Sequence, residues 1–277
     1  MRVAYLGPAG TFTEDALRAA APGEEIEPLR TPTVADAILA VDRGEAERAF
    51  VPFENSIEGS VRSTLDTLAL EAGAVTIVGE HDFEVHAHLI AREGVALDQV
   101  AAVLSHPQPL AQCARFLRER LAGVERRSVS STAEAVRMVG ESKRPWAAIG
   151  AHAAAELYGC VVLREGIEDE PDNVTRFVWI APAGTESGGG ERWRTSLVFS
   201  ELGADHPGAL VEALQEFSSR EVNLSRIESR PLRRGLGRYM FFVDAEGALE
   251  EAPVAAAIEA LRGKAESVRI LGSYPVA

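Results

Sequence analysis

Short apolar runs recur along the first 182 residues, with polar, helix-period stretches between them. The runs at residues 2–6, 48–51, 76–80, 84–91, 101–104, 146–149 and 173–181 predict strands. The intervening patterns predict helices over 13–20, 34–42, 63–72, 109–121, 133–140 and 152–158. Such alternation predicts an α/β domain with largely parallel sheets. Beyond residue 193 the order changes. A strand at 194–201 is followed by a helix at 208–220, whose apolar positions are Leu210, Val211, Leu214 and Phe217. Strands at 223–231 and 238–244, a helix at 253–264 and a strand at 267–274 complete the order βαββαβ, the ferredoxin-like layout.

Between the two patterns lies Gly184-Thr185-Glu186-Ser187-Gly188-Gly189-Gly190-Glu191, which reads as a flexible linker. The expected division is therefore a domain at 1–182, a linker at 183–193 and a smaller domain at 194–277. Apolar residues make up 46% of the chain and charged ones 25%, so a folded rather than a disordered protein is expected. No apolar run approaches the roughly 18 residues a membrane span needs.

The net charge is −14, of which −11 falls on residues 1–182 and −3 on residues 183–277. No basic run tracks a phosphate backbone, so neither nucleic acid nor an anionic membrane is an expected partner. An anionic ligand would have to be held by local groups against the overall field. The N-terminus turns at Gly7-Pro8, too early for a signal-peptide core, and a cytoplasmic location is expected. Cys113 and Cys160 form no framework of spaced pairs and are expected to be buried thiols.

Helix entrances carry the local chemistry. Thr11-Phe12-Thr13-Glu14, Ser105-His106-Pro107-Gln108 and Ser131-Thr132-Ala133-Glu134 share capping-box spacing. Asn55-Ser56-Ile57-Glu58 is a similar start with asparagine as the cap. Each could simply satisfy orphan amides. If two or three converge at strand ends, their free N–H groups and dipoles would instead bind a carboxylate. His86 and His88 alternate near His81, yet no ligand spacing completes a metal site. His106 and His152, near helix starts, read as polar contacts. Neither a Walker loop, a G-x-G-x-x-G turn nor a G-x-S-x-G elbow is present. Pattern alone reaches a cofactor-free α/β domain that binds a small anion, with a ferredoxin-like module appended.

Six motifs reach further. Tyr5-Leu6-Gly7-Pro8-Ala9-Gly10-Thr11-Phe12-Thr13, Val51-Pro52-Phe53-Glu54-Asn55-Ser56-Ile57-Glu58-Gly59, Ser105-His106-Pro107-Gln108-Pro109-Leu110-Ala111-Gln112-Cys113 and Asn173-Val174-Thr175-Arg176-Phe177 resemble the signatures of prephenate dehydratases. Gly208-Ala209-Leu210-Val211 and Glu228-Ser229-Arg230-Pro231 resemble the effector motifs of the ACT domain in that family. The one visible departure is Thr13 where serine is common, and the hydroxyl is kept. The resemblance implies a catalytic domain of two α/β lobes, like type II periplasmic binding proteins, with the cleft between them. The second lobe would span about 79–159, the chain returning to the first by Thr175. No chorismate mutase domain is expected ahead of the first signature.

The implied activity is decarboxylating dehydration of prephenate to phenylpyruvate in phenylalanine synthesis, without a cofactor and with phenylalanine as allosteric effector. By resemblance, Thr175 donates to the departing hydroxyl, while Asn55, Ser105 and Gln112 orient substrate and donor. Arg176 is either a carboxylate clamp or a structural salt bridge, and Glu54 either a general acid or a structural partner. Thr11, Ser56 and Phe177 join Arg176 in the substrate-binding set, with capping open for the two hydroxyls. Phenylalanine would be held by Gly208, Ala209, Leu210, Val211, Asn223, Leu224, Glu228, Ser229, Arg230 and Pro231. Side-by-side ACT pairing implies a homodimer or homotetramer. Arogenate dehydratase and a non-catalytic small-anion sensor remain open as alternatives at this point.

Overall fold

The computed structural model describes residues 1–202 and 207–276. The chain begins β1 (Arg2–Leu6), α1 (Phe12–Ala20), β2 (Glu27–Thr31), α2 (Val34–Asp42), β3 (Arg48–Asn55), β4 (Gly59–Ser60) and α3 (Arg62–Leu70). It continues through β5 (Val75–Glu84), β6 (His88–Ala91), β7 (Ala102–Ser105), α4 (Pro107–Gln112), α5 (Ala114–Arg120) and β8 (Glu125–Ser128). Then come α6 (Thr132–Glu141), β9 (Trp146–Gly150), α7 (His152–Leu157), β10 (Val161–Arg164) and β11 (Val174–Pro182). The last elements are β12 (Trp193–Ser200), α8 (Ala209–Ser218), β13 (Leu224–Pro231), β14 (Tyr239–Glu246), α9 (Ala252–Arg262) and β15 (Ser267–Pro275).

Two compact units divide the chain. One comprises Met1–Ala37, Phe50–Val61 and Asp82–Phe177; the other comprises Ile38–Ala49, Arg62–His81 and Val178–Ala277.

The first unit holds two lobes. In one, β1 and β2 run parallel, β3 lies beside β1 on the other side, and the start of β11 lies beside β3. The other lobe is a five-stranded sheet in the order β10-β6-β9-β7-β8. Its inner strands are short and almost wholly apolar because both faces are covered. Leu89, Val103 and Ile149 pack under Leu110 and Leu117 of α4 and α5 on one face. Ile90, Leu104 and Ala148 pack under Val136 and Val139 of α6 on the other.

Both lobes carry mixed pairings, which corrects the expectation of largely parallel sheets. β7 runs parallel to β8 and β9, whereas β6 runs against β9 and β10 against β6. Three further expectations change. Residues 84–91 do not form one strand, because β5 runs on to Glu84 and β6 opens only at His88. The helix expected over 109–121 divides at Cys113, whose ψ of 21° leaves the helical range. Asn55-Ser56-Ile57-Glu58 starts no helix and turns β3 into antiparallel β4. Its asparagine makes cap-like bonds nonetheless: Oδ1 accepts from the Ile57 and Glu58 amides at 3.0 Å.

The second unit contains the βαββαβ module. Its strands pair antiparallel in the order β13-β14-β12-β15, with α8 and α9 on one face. There Leu197, Phe199, Val243 and Ala245 meet Phe217, Ile258 and Leu261. The opposite face buries a polar group, Ser196, Asp244, Arg226 and Tyr274. β15 also runs parallel to β5 at Gly272 and Ile77. Only glycine fits there, since a Cβ would sit 2.2 Å from the Ile77 carbonyl oxygen.

Residues 183–192 carry no helix or strand, but they are not a free tether. Ala183 N donates to Ala74 O at 2.8 Å, and Ser187 Oγ donates to Ser273 O at 2.7 Å.

Candidate active site

A cleft of about 740 Å³ opens in the first unit, a size suited to a small ligand. One wall is Thr11 to Thr13 at the start of α1, Arg30 to Pro32, Asn55, Asn173, Thr175 and Phe177. The other is His106, Gln108 and Gln112 around α4, with Ser131 and Thr132 at the start of α6.

Asn55 organises the first wall. Two backbone amides hold its Oδ1 (Ile57 and Glu58, 3.0 Å each), which fixes the side-chain amide's orientation. Its Nδ2 then donates to Thr175 Oγ1 at 2.8 Å and to Asn173 Oδ1 at 2.7 Å. Because the threonine oxygen receives a hydrogen from Asn55, its own hydroxyl hydrogen is directed elsewhere. Phe177 completes this wall, stacked on Phe50 at 4.9 Å between ring centroids. From the other wall Gln112 Nε2 donates to Glu58 Oε1 at 3.4 Å.

The helix starts differ from simple capping boxes. Thr11 is the N-cap of α1, yet its hydroxyl donates to Leu6 O at 3.4 Å, and Glu14 accepts from Gly10 N at 2.8 Å. Ser131 does cap α6, accepting from Glu134 N at 3.0 Å. The amides of Phe12, Thr13, Thr132 and Ala133 have no backbone acceptor among the described residues. They leave N–H groups at two helix starts beside the cleft.

Among the described residues lining the cleft, Arg30 is the one permanent cation. Glu134 lies on the opposite wall, its carboxyl held below the usual range by the bonded Arg137. Behind the walls, burial pushes the Tyr5 hydroxyl up to about 12 and the Cys113 thiol up to about 12. The thiol stays protonated and is inert as a nucleophile.

Three expected site residues are placed elsewhere. Ser105 is fully buried, and its hydroxyl donates to Ile149 O in the adjoining strand at 2.7 Å. His106 takes the cap of α4 instead, with Nδ1 accepting from Gln108 N at 3.4 Å. Ser56 ties the β3–β4 turn to the start of β11, donating to Asp172 O at 3.1 Å and accepting from Val174 N at 3.0 Å. Arg176 follows Thr175 on an extended strand and so points the opposite way. Its guanidinium donates to Glu54 Oε2 at 2.6 Å and lies 5.2 Å from the Phe53 ring centroid. The salt-bridge alternative for Arg176 therefore describes its placement, and Glu54 is its partner.

Arg176→Ala is accordingly expected to act mainly on stability, leaving a half-buried carboxylate unpaired at a cost of about 2–4 kcal/mol. Urea unfolding measures this. A raised substrate requirement with unchanged stability would return Arg176 to the clamp role.

In the second unit, Gly208 is the N-cap of α8 with φ of 102°, a left-handed backbone that favours glycine. Ala209 and Leu210 are half-buried and Val211 is exposed in the first turn of that helix. Asn223 bonds Glu246 at 2.9 Å, and Leu224 packs on the module's core. On β13, Glu228 is half-buried while Ser229 and Pro231 are exposed. Arg230 is engaged by Asp66 of α3 through two bonds, 3.2 and 2.8 Å, and Arg233 shares that carboxylate at 2.5 Å.

A cleft between two α/β lobes, walled by amides and hydroxyls and joined to a βαββαβ module, defines an anion-handling α/β protein with an appended regulatory-type domain. The family model for prephenate dehydratase matches residues 3–185, and that for the ACT domain matches residues 198–263. The chain belongs to the prephenate dehydratase family, and its activity is that family's conversion of prephenate to phenylpyruvate.

It is 40% identical over 287 residues to a prephenate dehydratase of Mycolicibacterium vanbaalenii, covering 99% of this chain and 90% of the relative. It is similar to the solved prephenate dehydratase of Arthrobacter aurescens in complex with L-Phe, with a TM-score of 0.90 at 39% identity, covering 99% of this chain and 90% of that one. It is also similar to GqqA, described as a novel type of quorum-quenching acylase, with a TM-score of 0.88 at 33% identity, covering 100% and 98% of the two chains.

Proposed function

We propose that Thr175 is the proton or hydrogen-bond donor to the hydroxyl that leaves prephenate, and that Asn55 orients it. As the ring carboxylate departs as carbon dioxide, the electrons of its C–C bond enter the ring. The ring C–O bond breaks, and hydroxide leaves to become water. Aromatisation drives the reaction, so the barrier lies in the poor leaving group, which a placed donor stabilises. The observation that carries this reading is the Asn55 Nδ2 bond to Thr175 Oγ1, which leaves the hydroxyl hydrogen free to serve the cleft. Thr11 and Phe177 belong to the substrate wall, and Gln112 orients the substrate from the other lobe. Substrate carboxylates would meet the amide-rich helix starts and Arg30.

The test is the initial rate of phenylpyruvate formation with prephenate and, separately, with arogenate. Turnover only with arogenate would shift the substrate to the amino analogue. Hydrolysis of an acyl compound without phenylpyruvate would move the chain toward the chemistry described for GqqA.

Regulation and assembly complete the proposal. The first turn of α8, with Asn223 and Leu224, is assigned to phenylalanine. β13 ends its sheet and presents Ile227, 49% exposed, with Val211, 58% exposed, on α8. That edge suits side-by-side pairing in a homodimer or a dimer of dimers. Among the described residues no helix is long and apolar enough to cross a membrane, and a cytoplasmic location is proposed.

Control must be measured on the whole chain. Cutting after residue 182 would strip the partners of α3 and β5, including Arg230 from Asp66 and Arg194 from Glu80. Added phenylalanine is expected to lower turnover of the full chain. Gly208→Leu, strained at its left-handed φ, should blunt that response without abolishing turnover. Undiminished inhibition of a folded Gly208→Leu enzyme would remove the start of α8 from the effector site.

A further inference from the structure

Resting on the dehydratase reading, we propose that Asn173 is a second hydrogen-bond donor to the departing oxygen, acting beside Thr175. Nothing in the helix-start or capping patterns draws attention to this residue. It stands immediately before β11, however, two positions ahead of Thr175, and the strand's period of two carried back one residue puts both side chains on one face. Both line the cleft.

The Asn55 amide decides which way Asn173 is turned. Asn55 Nδ2 is a donor, so the Asn173 atom 2.7 Å from it is the acceptor Oδ1. The two hydrogens on Asn173 Nδ2 are thereby turned from Asn55, and they have no acceptor among the described residues. Asn173 is only 4% exposed, in a cleft wall. An amide nitrogen in a cleft wall with no protein acceptor takes its partner from the cleft contents. Water can fill that place at rest, and a substrate oxygen can replace it.

Position favours the leaving oxygen over a carboxylate. Thr175 Oγ1 and Asn173 Oδ1 both lie within 2.8 Å of the same Asn55 nitrogen. The Asn173 amide and the Thr175 hydroxyl are thus neighbours on one cleft wall, and we place one substrate oxygen before both. As the ring C–O bond breaks, charge builds on that oxygen, and two fixed donors stabilise it more in the transition state than in the ground state. Such a residue acts on kcat. One that anchors a permanent carboxylate would act chiefly on KM.

The experiment compares prephenate kinetics of full-length wild type, Asn173→Ser and Asn173→Asp. Aspartate keeps an acceptor for Asn55 and loses the donor. Serine is neutral and short, so charge repulsion does not disturb its KM. Both are expected to lower kcat about 10²- to 10³-fold, with KM nearly unchanged for Asn173→Ser and circular dichroism like wild type. Two results would overturn the inference: a folded variant with kcat within about threefold of wild type, or a serine variant impaired only in KM. Should one variant fail to fold, the other decides. An inactive wild type would instead sink the dehydratase reading itself, and the two failures are thus distinguishable.

Discussion

Thr175→Ala is expected to fold as wild type does while losing about 10²- to 10⁴-fold in turnover, the range for removing a positioned acid. Thr175 Oγ1 accepts from Asn55 Nδ2, and that nitrogen has Val174 O as a fallback at 3.3 Å. The stability cost should therefore stay near about 1 kcal/mol, the net worth of one hydrogen bond. Thr175→Ser keeps the hydroxyl and should retain much of the activity. Thr175→Val keeps the shape without the donor and should resemble alanine. Initial rates of phenylpyruvate formation, with thermal melts of the same preparations, check all three. A valine variant as active as wild type would remove the hydroxyl from the mechanism.

In the five-stranded lobe the strands most legible in the sequence are those whose burial is complete. β7 and β9 read Ala-Val-Leu and Ala-Ala-Ile because helices cover both faces of their sheet. The strands that escaped notice lie at sheet ends. β2 reads Glu-Pro-Leu-Arg-Thr, β8 reads Glu-Arg-Arg-Ser, and β10 is also terminal in its sheet. Backbone pairing with one neighbour holds such strands; β2 and β8 stay largely polar, and the apolar run of β10, Val161-Val162-Leu163, is too short to mark a strand by its period.

Within the site, Asn55, Thr175 and Gln112 were legible through motif resemblance, since their chemistry depends on contacts between distant segments. The capping-box spacing at Ser105 placed the cap of α4 one residue early. One residue of register decides the matter: as the last residue of β7 it faces inward, and His106 becomes the cap. Arg176 and Asn173 were decidable in principle. Strand alternation sends neighbours of Thr175 away from the cleft and residues two apart into it.

Asp244→Ala is expected to cost about 3–5 kcal/mol of stability. Asp244 is fully buried on the face away from α8 and α9. One carboxylate oxygen accepts from Ser196 Oγ at 2.7 Å, and the other from Arg226 Nε at 3.0 Å. Tyr274 and Ser196 share a further bond at 2.7 Å. Alanine would remove the buried carboxylate that faces the Arg226 guanidinium, itself only 7% exposed. That is costlier than never having had the pair, because most of a buried ion pair's strength offsets its own desolvation. Replacing both partners, Arg226→Met with Asp244→Leu, should therefore recover much of what Asp244→Ala loses. Denaturant midpoints at constant slope measure both. The loss should also reach control. Arg226 and Asp244 face each other across β13 and β14, and Asn223 and Leu224 open that same β13 segment. Loosening this pairing should weaken phenylalanine binding in the single variant more than in the double one. If Asp244→Ala unfolded within about 1 kcal/mol of wild type, the buried pair would not be what holds the edge strand in register.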